Sequence, residues 1–257
     1  MTKHRNMVFD FTQCYPRSGE NGFVWNDCSA IPSSRLYCSP KAEATLKEMI
    51  RPCGVSGIHF IDSGDYHYIT KLMTDFIKEP FSLVLIDHHT DMQKAALGDL
   101  LSCGNWARRV LEENEYLNSI TLIGQEQNTL EQLSVEHADK LIGISDEDLK
   151  TGHAQEKLEK MNPVIPVYIS IDKDVLDEKY AVTNWDQGQM SLPLLEQILK
   201  YLITKFEIIG IDICGEYPEE SNLPEYIYAE RVNEQSDEEL YLFIKKCFAR
   251  SEKKNKQ

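Results

Sequence analysis

Hydrophobic and polar positions alternate along the chain in two patterns that follow one another repeatedly. Short apolar runs are typical of buried strands and occur at Met7–Phe11, Ile58–Ile61, Leu83–Ile86, Ile120–Ile123, Val164–Ile171 and Ile208–Ile213. Longer amphipathic segments predict helices at Lys41–Met49, Ile69–Ile77, Asn105–Asn114, Thr129–Leu141, Asp146–Met161, Leu192–Lys205 and Ser236–Ala249. The stretch from Cys14 to Ser39 is rich in Gly, Pro, Ser and aromatic residues and predicts a long loop. The alternation predicts an α/β fold, a three-layer αβα arrangement around a parallel central sheet.

The 257 residues show no internal repeat, low-complexity tract or interdomain linker. We therefore expect a single domain over residues 1–257, which is within the size range of α/β folds. The polar ending SEKKNKQ predicts a disordered tail from about residue 250 to 257.

The net charge of −15 narrows the range of partners. Such a charge argues against nucleic acid or an anionic membrane surface and favours a small cationic ligand. The seven cysteines include no CxxC pair, which fits free thiols in a reducing compartment. The first residues lack an apolar signal segment, and no apolar run is long enough to cross a bilayer. We expect a cytoplasmic protein.

The segment Leu83–Asp91, LVLIDHHTD, is the strongest functional signal. The apolar run breaks directly into Asp87, His89 and Asp91, which fall on one side of an extended strand end because their spacing is two residues. Two carboxylates and an imidazole form a site for a divalent metal ion. Without a cation, the buried carboxylates would be costly.

Two further strand ends carry the same kind of residue. Asp172 and Asp174 follow the apolar run that ends near Ser170, and His67 follows Ile58–Ile61. In open parallel sheets, sites form outside the carboxyl ends of the strands. Six candidate ligands, four of them carboxylates, suit two divalent ions better than one.

The order of these motifs resembles that of the arginase/agmatinase (ureohydrolase) superfamily. The matching segments are DHHTD at Asp87–Asp91 and SIDKDVLD at Ser170–Asp177. SGDYHY resembles the family's GGDH segment with one residue inserted, and GIDICGEYP resembles its DxxExxP segment. The resemblance covers about residues 55 to 220.

The resemblance implies an arginase/deacetylase-like αβα fold, two Mn²⁺ ions per chain, and hydrolysis of a C–N bond in a small cationic guanidino or amidino substrate by a metal-bridging hydroxide. It also implies a homo-oligomer, either a trimer or a hexamer. Asp91 would also bond the hydroxide, and Glu216 would bind the cationic substrate as a catalytic residue. The metal ligands that the resemblance implies are His67, Asp87, His89, Asp91, Asp172 and Asp174.

The chain departs from the family pattern beside the first motif. The family carries a proton-transferring His where Gly104–Ala107 reads GNWA. We predict that Asn105, Trp106 and Trp185 bind substrate, although Asn105 is equally a candidate helix cap and the two indoles could instead be loop packing. In a gapless match to the family's DxxExxP segment, Gly215 would align with the family's Glu, and Glu216 lies one position later. Cys103 and Cys214 are interpreted as inert.

Two other functions remain open from the sequence. One is a deacetylase-like amide hydrolase with a single zinc ion, against which the additional carboxylates argue. The other is a protein that keeps the metal site but has lost turnover and acts in binding or regulation. The missing His favours this second alternative.

Overall fold

A parallel sheet of eight strands forms the centre of the protein in the computed structural model, which describes residues 5–15, 22–96, 98–218 and 223–254. Its strands in chain order are β1 (Asn6–Asp10), β2 (Phe23–Asp27), β4 (Ile58–Ile61), β5 (Phe81–Ile86), β7 (Leu117–Ile123), β8 (Leu141–Ile144), β9 (Val167–Asp172) and β10 (Ile208–Cys214). A separate antiparallel pair joins β3 (Tyr37–Cys38) to β6 (Leu101–Ser102).

Helices cover both faces of this sheet. They are α1 (Pro40–Ile50), α2 (Ile69–Thr74), α3 (Trp106–Glu113), α4 (Gln127–Glu131), α5 (Asp146–Thr151), α6 (Ala154–Leu158), α7 (Leu192–Lys205) and α8 (Leu223–Lys254). On β5, Leu83 and Leu85 pack into the core with α1, α2 and α3, whereas Val84 and Ile86 pack into the core with α7 and α8. A strand covered on both faces must be apolar throughout. The predicted αβα fold with a parallel sheet is confirmed.

The strand order is β2-β1-β4-β10-β9-β5-β7-β8, so the last strand of the chain lies between β4 and β9. The register brings the strand ends to one level: Cys214 pairs with Ile61 on one side and with Asp172 on the other. Ile86 pairs with Ile171 in the same way. The segments that follow β4, β10, β9 and β5 therefore meet at one edge of the sheet.

Three predictions of local structure are wrong. The predicted loop from Cys14 to Ser39 contains β2 and β3, and the predicted helix Thr129–Leu141 is the short α4 followed by a different path into β8. β2 is rich in aromatic residues, β8 has only four residues, and the two strands lie at opposite edges of the sheet. An edge strand pairs with only one neighbour, and strands of this kind leave a weak hydrophobic pattern in the sequence. The last helix begins at Leu223 instead of Ser236.

The predicted helix Asp146–Met161 is divided into α5 and α6 because Gly152 adopts a left-handed conformation with φ +84° and ends α5. Of the predicted disordered tail, the part up to Lys254 continues α8, and residues 255–257 lie outside the described residues. None of the helices in the described ranges combines the length and the apolar character that crossing a membrane requires.

Candidate metal centre

A tight turn after β4 places His67. The chain passes from β4 through a 3₁₀ turn over Gly64–Tyr66, and His67 ends this turn two residues before α2 begins. A Cβ atom at Gly64 would lie 3.0 Å from Asp172 Oδ2 and 3.0 Å from the Trp185 ring. The glycine therefore allows this turn to run close against the segment that follows β9.

Local hydrogen bonds fix the segment after β5. The backbone N–H of His89 donates to Asp87 Oδ1 at 2.6 Å. Asp91 has a left-handed backbone, with φ +50°. Its carbonyl oxygen accepts from the backbone N–H groups of Ala107 and Arg108 at 3.1 and 3.3 Å. These two bonds tie Asp91 to the first turn of α3, whose N–H groups have no partner within the helix.

The segment after β9 is held in the same manner. Asp172 ends β9, and Asp174 lies in the 3₁₀ turn that follows, where its N–H donates to Asp172 Oδ1 at 3.0 Å. Gly215, directly after β10, has φ +102°, and a Cβ atom there would approach Asp172 Oδ1 to 2.7 Å. Only glycine combines that conformation with that space.

Of the six candidate ligands predicted from the sequence, five meet at this edge in two groups that share Asp87, and Asp172 lies beside His67. His67 Nδ1 lies 3.1 Å from Asp91 Oδ2 and 3.4 Å from Asp87 Oδ2. It is also 3.4 Å from Asp172 Oδ2. His89 Nδ1 lies 2.7 Å from Asp174 Oδ2 and 3.7 Å from Asp87 Oδ1. The candidate ligand atoms lie within 4.8 Å of one another in each of two groups, His67/Asp87/Asp91 and Asp87/His89/Asp174.

This carboxylate cluster is buried, and its charges repel one another. Burial, together with the charge of Asp174, raises the pKa of Asp87 well above its ordinary value. Burial and the charge of Asp172 raise the pKa of Asp174 to about 6. Burial opposes the charge on His89, but the hydrogen bond to Asp174 raises the pKa of the imidazole to about 10.

The donor set fits divalent cations. Asp87 is 1% exposed, and its Oδ2 atom accepts no hydrogen bond within the described structure. A buried carboxylate oxygen without a donor is costly while it is charged, and a bound cation would compensate its lost hydration. Carboxylate oxygens and imidazole nitrogens together suit ions such as Mn²⁺ and Zn²⁺.

A shell of hydrogen bonds orients the cluster. Ser170 Oγ lies 2.8 Å from His67 Nε2, so that Nδ1 of the ring faces the carboxylates. The fully buried Trp106 donates from Nε1 to Asp91 Oδ2, and its ring lies 4.7 Å from the His67 ring. Such partners hold ligand side chains in the geometry that a metal requires.

The predicted substrate residues lie in different environments. Asn105 is buried and holds the loop before α3, because its amide bonds the N–H of Ser102 and the carbonyl of Leu100. Trp106 lies beneath the cluster, as described above. Trp185, 37% exposed, lines the small cavity above the carboxylates, and its ring is 5.8 Å from that of His89.

Glu216 does not line that small cavity. Its carboxylate accepts a hydrogen bond from the fully buried Lys173, which also donates to Asp237 Oδ1 at 2.6 Å. Glu216 lines a second cavity next to α8. Its predicted role in substrate binding stays a prediction.

Two residues beside the cluster make contacts that the sequence did not predict: Cys214, which was interpreted as inert, and Lys173. Cys214 Sγ donates to Asp172 Oδ2 at 3.2 Å and forms a third candidate ligand group with Asp172 and His67. Burial raises the pKa of this thiol well above its ordinary value, so it stays protonated. Its place at the end of an apolar run was the available signal. Lys173 carried another, as a lysine between two candidate ligands.

Comparison with known proteins adds an independent line of evidence. The Arginase family matches residues 32–222 of this chain. An uncharacterised protein of Thermotoga maritima is 31% identical over 160 residues, which are 62% of this chain and 58% of that protein. The chain thus spans less than two thirds of that relative's length.

Two solved structures share the fold. The agmatine ureohydrolase of Thermoplasma volcanium superimposes with a TM-score of 0.62 at 17% identity, covering 97% of this chain and 92% of that one. The proclavaminate amidino hydrolase of Streptomyces clavuligerus gives a TM-score of 0.60 at 15% identity, covering 98% and 94%.

Proposed function

Because this chain belongs to the Arginase family, we propose that it is a metal-dependent hydrolase that cleaves a C–N bond in a small guanidino or amidino compound. The observation that carries the proposal is the pair of carboxylate–imidazole groups that share Asp87. The names of the two structural neighbours, an agmatine ureohydrolase and an amidino hydrolase, support the substrate class.

The cofactor in this proposal is a pair of Mn²⁺ ions. His67 and Asp91 would hold one ion, His89 and Asp174 the other, and Asp87 lies where it reaches both groups. Four carboxylates, with Asp172 as the fourth, balance the charge of two divalent ions. Bound there, such ions would supply Lewis-acid activation of a water molecule.

Other side chains of this protein orient the metal ligands and contribute to the selection of the substrate. Trp106 and Ser170 hold Asp91 and His67 in place through the hydrogen bonds described above. The Trp185 ring lines the cavity and would attract a planar cation placed over its face. Asp65 accepts the Trp185 indole N–H at 3.0 Å and so fixes that ring.

Substrate size and assembly complete the proposal. The cavity above the cluster has a volume of about 30 Å³, which favours a small substrate group. The net charge of −15 favours a cationic one. Assembly as a trimer or hexamer is a prediction that light scattering tests directly.

The test begins with metal content. Protein expressed with manganese, purified by gel filtration and measured by plasma mass spectrometry should carry two Mn per chain. The loaded protein is then assayed against guanidines, amidines and formimino compounds for release of urea, ammonia or amine. Asp91→Asn should lower kcat/KM by at least about 100-fold while the circular dichroism spectrum stays unchanged. One zinc per chain would replace this proposal with the single-zinc amide hydrolase.

A second candidate is a protein that retains the metal and does not turn over. Ala107 favours it, since this residue is fully buried in the first turn of α3, where the resemblance implies a proton-transferring His. Two Mn per chain with no hydrolysis across the whole panel would support this candidate and overturn the hydrolase.

A further inference from the structure

A second cavity, with a volume of about 410 Å³, lies between α8 and the sheet edge formed by β2, β1 and β4. One wall is aromatic and is lined by Tyr15, Phe23, Trp25 and Phe60, and Tyr241 joins these rings from α8. The rings pack against one another, with centroids 5.3 to 6.3 Å apart for Phe23–Tyr241, Tyr15–Phe60 and Tyr15–Trp25. This wall offers ring faces to whatever occupies the cavity.

The opposite side is a row of carboxylates on one face of α8. Glu230, Glu234 and Glu238 all line the cavity and follow one another at four-residue intervals. A helix rises 1.5 Å per residue, which sets neighbouring carboxylates of this row about 6 Å apart along the axis. Across the described ranges, no basic side chain forms an ion pair with any of the three. The row is therefore free to bind a cation from solution.

The floor of the cavity is close to neutral, because burial and the charge of Glu216 raise the pKa of Asp237 well above its ordinary value. Glu216 and Asp237 share a single cation, Lys173, whose ammonium group bonds both. The one basic side chain in the lining, Lys245, lies over the Tyr241 ring with its Nζ 4.8 Å from the ring centroid. With the carboxylate row included, the lining carries more negative than positive charge, which disfavours an anionic ligand.

A polar atom in the aromatic wall also lacks a partner. The Tyr15 hydroxyl is enclosed and forms no hydrogen bond to the described residues, and its oxygen can accept one from a cationic donor. Buried polar groups in proteins nearly always have a partner, in the protein or in what it binds. This observation is independent of the carboxylate row and points to a ligand in the same cavity.

We propose that this cavity binds a linear aliphatic polyamine. Ammonium groups separated by three or four methylene groups match the spacing of the carboxylate row, and the methylene chain matches the aromatic wall. Cations also bind favourably over ring faces. A single metal ion does not fit, because carboxylates one helical turn apart, opposite a wall of rings, do not form a compact oxygen cage.

The first experiment is calorimetric titration of the full chain with spermidine at low ionic strength, with chelator present so that the candidate metal centre takes no part. We expect one spermidine per chain. Glu234→Gln and Glu238→Gln should each weaken binding about fivefold. Glu239→Gln is the matched control, because Glu239 is exposed on the same helix and does not line the cavity, and its affinity should stay within twofold. Equal weakening by all three variants, or no binding, would overturn the proposal, since only nonspecific attraction to an acidic protein would remain.

Fluorescence locates the ligand. Spermidine should change the indole emission of the wild-type protein and of Trp185→Phe, but not that of Trp25→Phe, because only Trp25 lines this cavity. A signal that disappears in Trp185→Phe and persists in Trp25→Phe would place the polyamine at the candidate metal centre and overturn the proposal. Failure of the metal centre to bind manganese would leave both results unchanged, so the two proposals are tested separately.

Discussion

The candidate metal centre and the aromatic–acidic cavity are both rich in carboxylates, yet they place them in opposite environments. At the centre Asp87, Asp172 and Asp174 are each at most 3% exposed, and the carboxylates crowd around two imidazoles. In the cavity beside α8 the carboxylates of the row Glu230, Glu234 and Glu238 are exposed and lie about one helical turn apart. Lys173 joins the two regions, with its backbone between two candidate ligands and its ammonium group on the cavity floor.

The difference shows how burial changes the free-energy cost of a charged carboxylate and the partner that it needs. A buried carboxylate has lost its hydration and needs a cation in a fixed position, which makes the surrounding fold rigid and specific. An exposed carboxylate is hydrated and screened, so it imposes little on the fold and acts through spacing and net charge. Four predictions test this contrast.

The largest expected effect is that of removing the shared cation. Lys173→Met leaves Glu216 and Asp237 without their buried partner, which should lower the free energy of unfolding by about 3–5 kcal/mol. Lys157→Met is the control, since Lys157 pairs with Asp148 while 30% exposed and should cost about 1 kcal/mol or less. Urea unfolding of both variants in the presence of chelator provides the measurement. Similar losses of unfolding free energy in the two variants would show that Lys173 contributes no more to stability than an exposed ion pair does.

The next effect concerns the metal centre alone. Asp174→Ala removes a ligand from the group that contains Asp87 and His89, and should weaken Mn²⁺ binding by at least about 100-fold. Asp177→Ala, in the same motif, is the control, because its carboxylate bonds the backbone of Lys179 and belongs to none of the candidate groups. Equilibrium dialysis decides between them, and equal affinity of the two variants would remove Asp174 from the ligand set.

A smaller effect is the pH dependence of metal binding. In the metal-free protein the pKa of His89 is raised to about 10 and that of His67 is raised well above its ordinary value, so each imidazole holds a proton near neutral pH that a metal ion must displace. Affinity for each Mn²⁺ ion should therefore rise about tenfold per pH unit between pH 6.5 and 8. Calorimetry in buffers of different ionisation enthalpy counts the released protons. His89→Gln should reduce this count, and an unchanged count would assign the proton elsewhere.

The smallest effect is expected at the cavity rim. Glu238→Gln should change the free energy of unfolding by about 0.5 kcal/mol or less, as should Glu239→Gln, because both carboxylates are exposed. Thermal or urea unfolding tests this directly. A loss of several kcal/mol from Glu238→Gln alone would show that the carboxylate row stabilises the folded protein and is not an exposed surface available to a ligand.

The sequence predicted the centre far better than the cavity. Apolar runs followed by Asp87 and Asp172 mark strand ends, and carboxyl ends of parallel strands share one edge, so these carboxylates were predicted to lie together. The cavity depends on Phe23 and Trp25, from a segment interpreted as loop, and on the first turns of α8, which the predicted helix omitted. Aromatic residues in short edge strands give no clear period, so their shared wall is visible only in three dimensions.

The strand order determines how much of the chain must be present before the candidate metal centre is complete. Because β10 lies between β4 and β9, His67 and Asp172 are neighbours only after Ile208–Cys214 has entered the sheet. A ribosome-bound nascent chain that ends before this strand carries all six candidate ligands and still lacks the strand that brings two of their segments together. A polypeptide truncated ahead of β10 would lose the strand that holds His67 beside Asp172, whereas β5 and β9 pair directly and would still bring the four carboxylates together.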